Sequence, residues 1–203
     1  MSIIDKSGLL KRDDLAPYSL ELGCGQNKRH PDCIGIDLLD HDCVDIVGDV
    51  FDVLRAFPDA SVRAVYSHHF VEHVDDLGGL MNELSRVLQP GGKLDITVPH
   101  FSNPHFYSDY THRHFFGLYS FDYFCRSTLF VMKTPNYGVV PQFDMEQVRL
   151  NFRSFRPYYL RHGFKKLLTV LFNSGRYMQE LYEENLAYLF PCYEIRYVMT
   201  RLG

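Results

Sequence analysis

Up to residue 100, short apolar runs rich in β-branched residues alternate with helical patterns. The period-2 and continuous apolar runs predict strands at 18–22, 33–37, 44–47, 64–67 and 93–98. Between the last two, Leu77, Leu80, Met81, Leu84 and Leu88 recur at the spacing of one helix face, and Pro90-Gly91-Gly92 supplies a stop and a turn. Strands alternating with helices in this way predict an α/β domain whose parallel sheet is covered by helices on both faces. Beyond residue 100 the alternation breaks. Residues 101–117 read as a long polar and aromatic loop, 118–127 as a helix, 143–152 as a strand and 193–201 as the last strand. Two helical patterns, 164–172 and 177–190, fall between those final strands and read as an insertion spanning 155–191. Internal repeats and low-complexity segments are absent.

The first strand ends Ser19-Leu20-Glu21-Leu22-Gly23-Cys24-Gly25, an acidic residue beside a Gly-x-Gly turn. The second ends Ile34-Gly35-Ile36-Asp37. Glycines let backbone approach a ligand that a Cβ would push away, and a carboxylate at the neighbouring strand tip accepts hydrogen bonds from both ribose hydroxyls. The pair therefore predicts a nucleoside pocket. A nicotinamide-type fingerprint needs a third glycine and an acidic residue about 20 positions on. Instead the chain continues Gln26-Asn27-Lys28-Arg29-His30-Pro31, with little room for a helix aimed at a pyrophosphate. A ligand with ribose but no phosphates fits better.

These residues resemble the class I methyltransferases that use S-adenosylmethionine. Glu21-Leu22-Gly23-Cys24-Gly25 is similar to their first motif, Gly35-Ile36-Asp37 to their ribose-binding acid and Gly48-Asp49-Val50 to their adenine-edge motif. Tyr66 to Val74 resembles the segment after the fourth strand, and Leu88 to Leu94 the turn into the fifth. The departure is the abbreviated segment after Gly25, where most members carry a helix. The resemblance implies a Rossmann-like seven-stranded sheet, the insertion preceding its last strand. It also implies S-adenosylmethionine bound by Glu21, Gly23, Cys24, Gly25, Asp37, Leu38, Asp49, Val50 and His68. Gly23 and Gly25 could instead merely shape a turn, and Asp49 a loop cap.

With 203 residues the chain is read as one domain, its cofactor half at about 15–100 and its substrate loop at about 100–127. A net charge of -4 and a pI near 6.2 disfavour a nucleic-acid partner recognised through phosphates. Five cysteines without paired metal spacing suit a reducing, cytoplasmic setting, and no metal is assigned. The first residues lack a basic start followed by an apolar core, and no apolar run is long enough for a membrane span.

Methyl transfer to a hydroxyl needs aligned reactants and a base. The candidate base is His112, oriented by Asp109, with His114 in reserve, in Asp109-Tyr110-Thr111-His112-Arg113-His114. His100, His105, Tyr107 and Arg113 are candidates for positioning the acceptor. The alternative is that Asp109 and Thr111 cap a turn while His112 or His114 bonds backbone. This segment also resembles an Asp-x-Thr-His stretch in methyltransferases of glycan gene clusters, which implies a saccharide or glycan-linked acceptor. Two other readings stay open: a different small molecule as acceptor, or a non-catalytic nucleoside-binding or partner-binding member.

His69-Phe70-Val71-Glu72-His73 spells the inverted zinc-protease motif, but it follows a strand in a nucleoside-binding order, where Glu72 and His73 would begin a helix. Arg161, Lys165, Lys166 and Arg176 surround Leu167, Leu168, Val170, Leu171 and Phe172. That basic amphipathic pattern could touch an anionic membrane, pack on the domain or face a homodimer partner.

Overall fold

The computed structural model describes residues 3–11, 17–127, 129–135 and 137–203. Its eight strands are β1 (Ile4–Asp5), β2 (Tyr18–Leu22), β3 (Ile34–Asp37), β4 (Ile46–Val47), β5 (Val62–His68), β6 (Leu88–Pro99), β7 (Phe143–Asn151) and β8 (Glu194–Arg201). They form one sheet in the order β1-β4-β3-β2-β5-β6-β8-β7. Strands β2 to β6 pair in parallel, and the short β1 adds an antiparallel edge beyond the seven strands expected. At the other end β8 lies antiparallel between β6 and β7.

The parallel strands carry the core because both of their faces are covered. Leu20, Leu22, Val65, Leu94, Ile96 and Val98 have no exposed surface. Helix α1 (Val50–Ala56) adds to the predicted elements; it starts where Asp49 accepts from the Phe51 and Asp52 amides. Helix α2 (Leu77–Val87) is capped by Asp76 and buries Leu80, Met81 and Leu84. Pro90-Gly91-Gly92 lies within the bounds of β6, where the register slips: Val62 pairs with Leu88 but Ala64 with Lys93. The expected insertion holds α3 (Tyr159–Phe172) and α4 (Arg176–Asn185).

The helix expected at 118–127 does not form; only a 3-10 turn at Asp122–Phe124 is present. Tertiary partners claim the residues a helix would have used. Phe121 stacks on Phe116 and meets Tyr197 edge-on, and the Leu118 amide donates to Glu183.

Successive connections leave β2 toward β3 on one side and later toward β5 on the other. The carboxyl ends of β2, β3 and β5 therefore meet at the switch in strand order, where ligands bind in such sheets.

Candidate functional site

No helix follows β2. Gly23 and Gly25 take φ of +63° and +57°, a left-handed conformation that glycine tolerates. Three carboxylates hold the segment that follows. Glu21, only 3 % exposed, accepts from the Arg29 and His30 amides at 2.9 and 2.7 Å. Asp45 takes the Lys28 ammonium at 2.6 Å and the Gly35 amide at 2.7 Å. Asp37 takes the Gly25 amide at 2.8 Å through Oδ2 and the Leu39 amide at 2.9 Å through Oδ1. These acids supply acceptors for loop donors that a helix would have satisfied internally.

Beside this loop lies a cavity of about 430 Å³, lined by Gly23, Asp37, Leu38, Asp49, Val50, Phe70 and His73 among others. Its size suits a small ligand. Asp49 serves twice, since its Oδ1 caps α1 while the residue also faces the cavity. Five of the nine expected cofactor residues line this space: Gly23, Asp37, Leu38, Asp49 and Val50. The other four do not. Gly25 reaches it only through its bond to Asp37. The Cys24 thiol is buried and pushed up to about 12 by burial and the Asp37 charge, which keeps it protonated. Glu21, engaged with the loop amides, and His68 line an adjacent hollow with Arg29, His30 and Tyr66.

Two histidines at the end of β5 divide a charge. His69 sits at φ +53° with Nε2 2.9 Å from Glu194 and Nδ1 3.3 Å from Glu72. Burial alone would lower its pKa, but these carboxylates override it and hold His69 up at about 9. Burial and that neighbouring cation push His68 down to about 4. At neutral pH His69 is thus an imidazolium and His68 a neutral ring. His69 and His73 turn to different partners, so the inverted zinc-protease geometry does not arise.

The loop after β6 docks on the 3-10 turn Val71–His73, with the Arg113 amide donating to Glu72 O at 2.7 Å. The expected Asp109–His112 hydrogen bond does not form. His112 Nε2 lies 3.7 Å from Asp109 Oδ2, while His112 Nδ1 donates to Phe106 O at 2.9 Å. Asp109 Oδ1 instead accepts the Thr111 hydroxyl at 2.6 Å and the Thr111 amide at 3.0 Å. With its proton so placed, Thr111 Oγ1 accepts from His73 Nδ1 at 2.8 Å. The network places a proton on Nδ1 of both His73 and His112, so the neutral form of each ring carries its lone pair on Nε2.

One donor atom from each of Glu72, His73 and His112 lies within 4.8 Å of the other two, and Glu72 Oε2 is buried without a hydrogen-bond partner. His68, His69 and Glu194 cluster as closely. The second group is an ion pair, since His69 donates through both nitrogens. The first is a set of proton acceptors, and His73 carries it to the cavity wall.

The other loop candidates take different places. His100 has no exposed surface; its Nδ1 accepts from the Ser102 amide and its Nε2 meets Glu183 at 3.1 Å. It ties α4 to the end of β6 and presents no face to an acceptor. His114 bonds Val74 O at 2.7 Å, and Tyr107 donates its hydroxyl to Phe101 O. Arg113 pairs with the exposed Asp75, and His105 is exposed. Sequence reading missed Phe70, His73 and Glu194 as site residues. For His73 the signal was present in the Glu72-His73 pair; for Glu194 it was not, since that residue arrives from the far end of the chain.

Residues 20–96 match a protein family described as a methyltransferase domain. No curated protein sequence matches the chain. Among solved structures, an S-adenosylmethionine-dependent methyltransferase from Archaeoglobus fulgidus is 16 % identical over 91 % of this chain and 86 % of its own, with a TM-score of 0.52. Phosphoethanolamine N-methyltransferase 2 from Haemonchus contortus, solved with phosphomonomethylethanolamine and S-adenosylhomocysteine, is 17 % identical at a TM-score of 0.54. That match covers 98 % of this chain but only 52 % of that enzyme. Geranyl diphosphate C-methyltransferase from Streptomyces coelicolor, solved with Mg²⁺, geranyl diphosphate and S-adenosylhomocysteine, is 15 % identical over 95 % of this chain and 74 % of its own, at 0.52. The strand order, the cavity at its switch point and these likenesses identify the architecture as the class I methyltransferase fold, with a methyltransferase-domain match over residues 20–96.

Proposed function

We propose that this protein binds S-adenosylmethionine in the cavity beside Gly23 and transfers its methyl group to a hydroxyl of a saccharide or glycan-linked small molecule. One observation carries the cofactor assignment: the Gly23 turn, Asp37 and Asp49 surround a single cavity of about 430 Å³. The residues present fit the group. Each Asp37 oxygen accepts one backbone amide and retains a lone pair, so the carboxylate can also take both hydroxyls of a ribose. Asp49 Oδ2 lies outside the cap bonds and supplies an acceptor for an exocyclic amine, and Leu38, Val50 and Phe70 offer apolar surface for a base.

When bound, the cofactor supplies an electrophilic methyl on a sulfonium. The chain must orient the acceptor and remove its proton, and orientation alone contributes several kcal/mol. His73 rather than His112 is the base in this reading. His73 lines the cavity and spends Nδ1 on Thr111, which leaves Nε2 as the proton acceptor of its neutral ring, whereas the His112 side chain is only 8 % exposed and stands behind it. Asp109 and Thr111 hold the His73 tautomer, and Glu72 stabilises the imidazolium once the proton arrives. The saccharide class rests on the resemblance of the 99–124 segment. The free state of all five cysteines accords with a reducing compartment such as the cytoplasm.

Calorimetric titration with S-adenosylmethionine tests the cofactor, and Asp37→Asn is the control because it retains acceptor oxygen but loses charge. Micromolar binding by the wild type and at least tenfold weaker binding by the variant are expected. Transfer of labelled methyl to a panel of sugars and glycolipids then tests the acceptor. Absence of cofactor binding would overturn the assignment.

A further inference from the structure

Between Glu146 and Glu180 the chain has no acidic residue and seven basic ones, from Arg149 to Arg176. None of the seven forms an ion pair among the described residues. In a protein whose net charge is -4, this is a strong local reversal of sign. Helix α3 runs through the middle of it.

One side of α3 packs on the domain: Leu168 and Phe172 are buried, and Thr169 exchanges hydrogen bonds with the Phe152 backbone. Much of the remaining surface is apolar and open, with Phe164 also meeting Phe190 edge-on at 6.0 Å. Leu160, Phe164, Leu167 and Leu171 follow one another at i, i+4, i+7 and i+11, which aligns them in a single stripe. Leu160 is 93 % exposed and Leu167 68 %, with Val170 and Tyr159 beside them at 73 % and 69 %. The exposed Arg161 and Lys166 flank this stripe. An apolar stripe of this kind is normally covered, since each Å² left in water forgoes about 25 cal/mol.

The charges select what covers it. A second copy meeting the first through the same face would bring two uncompensated cationic surfaces together. An anionic lipid surface matches both halves: acyl chains receive the leucines, and headgroups receive the arginines and lysines. Tyr158 and Tyr159, exposed at the start of the helix, have the amphipathic character of interfacial aromatics. We propose that α3 lies in the plane of an anionic membrane, with Leu160, Phe164, Leu167 and Leu171 entering the headgroup boundary. No helix of the structure is long and apolar enough to cross the bilayer, so the contact is peripheral.

The same geometry places the candidate site near that surface. Just ahead of α3, Phe155 meets Tyr193 at 5.3 Å and Arg153 lies 5.8 Å over the same ring, while Tyr193 in turn is 5.9 Å from His69 at the end of β5. The start of α3 is therefore joined through Phe155 and Tyr193 to the end of β5, at the ligand-binding edge of the sheet.

Flotation of the purified full chain with vesicles tests this without any measurement of methyl transfer, so it is independent of the proposed activity. The wild type is expected to float with phosphatidylcholine–phosphatidylglycerol vesicles and to stay behind with phosphatidylcholine alone. Leu160→Glu with Leu167→Glu should abolish flotation, and Arg161→Gln with Lys166→Gln should weaken it about thirtyfold. Both pairs should melt like the wild type because the altered side chains are exposed. Failure of the wild type to float with anionic vesicles would overturn the proposal, as would equal flotation with neutral ones. A concentration-dependent dimer seen by light scattering and lost in the Leu160→Glu, Leu167→Glu variant would also overturn it, assigning the face to a second copy.

Discussion

A β-carbon placed on Gly23 would sit 2.5 Å from the Cβ of Phe70, so the side chain after β5 packs directly on the bare backbone of the turn after β2. The two loops that define the cavity are thereby held at a spacing only glycine permits. Gly23→Ala meets both this overlap and the cost of a left-handed φ, about 1 kcal/mol on its own. We expect a melting point lowered by several degrees and cofactor binding weakened at least tenfold. Gly25→Ala, with nothing within 4 Å of its added carbon, should be milder on both counts.

His73 and His112 are separable by kinetics. If His73 Nε2 takes the acceptor proton, His73→Ala should lower kcat by a factor of about 10² to 10⁴ with little change in cofactor affinity. Thr111→Val removes the oxygen that accepts from His73 Nδ1 and should lower kcat in the same direction by a smaller factor. His112→Ala should act chiefly on stability, because its ring is buried against Phe106 and bonds the Phe106 carbonyl. A full loss of turnover in His112→Ala with a normal melting curve would return the base to His112.

The His69–Glu194 pair makes stability depend on pH from both sides. His69 is raised from 6.5 to about 9, so its contribution is whole below about pH 6.5 and is lost as pH rises through 9. Glu194 is lowered from 4.5: burial opposes this, but bonds to His69 and Asn151 prevail, so its contribution is whole above about pH 4.5 and is lost in acid. The pair is worth most between about pH 4.5 and 6.5. NMR titration of the histidine ring protons should find His69 still protonated at pH 8 in the wild type. Glu194→Gln should bring its titration down toward neutrality and raise that of His68 less, or not at all.

Asp122 gives the sign opposite to that of Glu194. Both of its carboxylate oxygens are buried without a hydrogen-bond partner, and burial raises its pKa from 3.8 to about 6. The folded state therefore holds a proton that the unfolded state has released between those values, and stability falls as pH rises through them. Asp122→Asn should raise stability above pH 6, on the order of 3 kcal/mol, with the gain vanishing below about pH 4. Urea unfolding at pH 4 and pH 7.5 would measure the difference. An equal effect at both values would mean that the charge is not responsible.

The strands were legible because apolar runs bounded by turn residues have few other ways to bury themselves. Expected 18–22 matches Tyr18–Leu22 residue for residue, and Asp37 and Asp49 reach the cavity because a residue's place at a strand tip follows from local sequence. Even the absence of a helix after Gly25 could be read, from the short distance to the next strand. What replaces that helix could not: Glu21 resembles a ligand contact by its place in the motif, and only the fold shows it accepting the Arg29 and His30 amides and lining a hollow beside the cavity.

The same limit governs the histidines. Ten histidines look alike in a one-dimensional string, and their chemistry is set by neighbours far along the chain. His100 meets Glu183, His69 meets Glu194 and His73 meets Thr111, separations of 83, 125 and 38 residues. The sequence by itself determined the sheet, its glycine turn and the acids at its strand tips, because these depend on local pattern and backbone sterics. Tertiary structure alone decided which imidazole is charged, which is buried and which faces the cavity, because protonation and exposure belong to the surroundings a side chain meets only after folding.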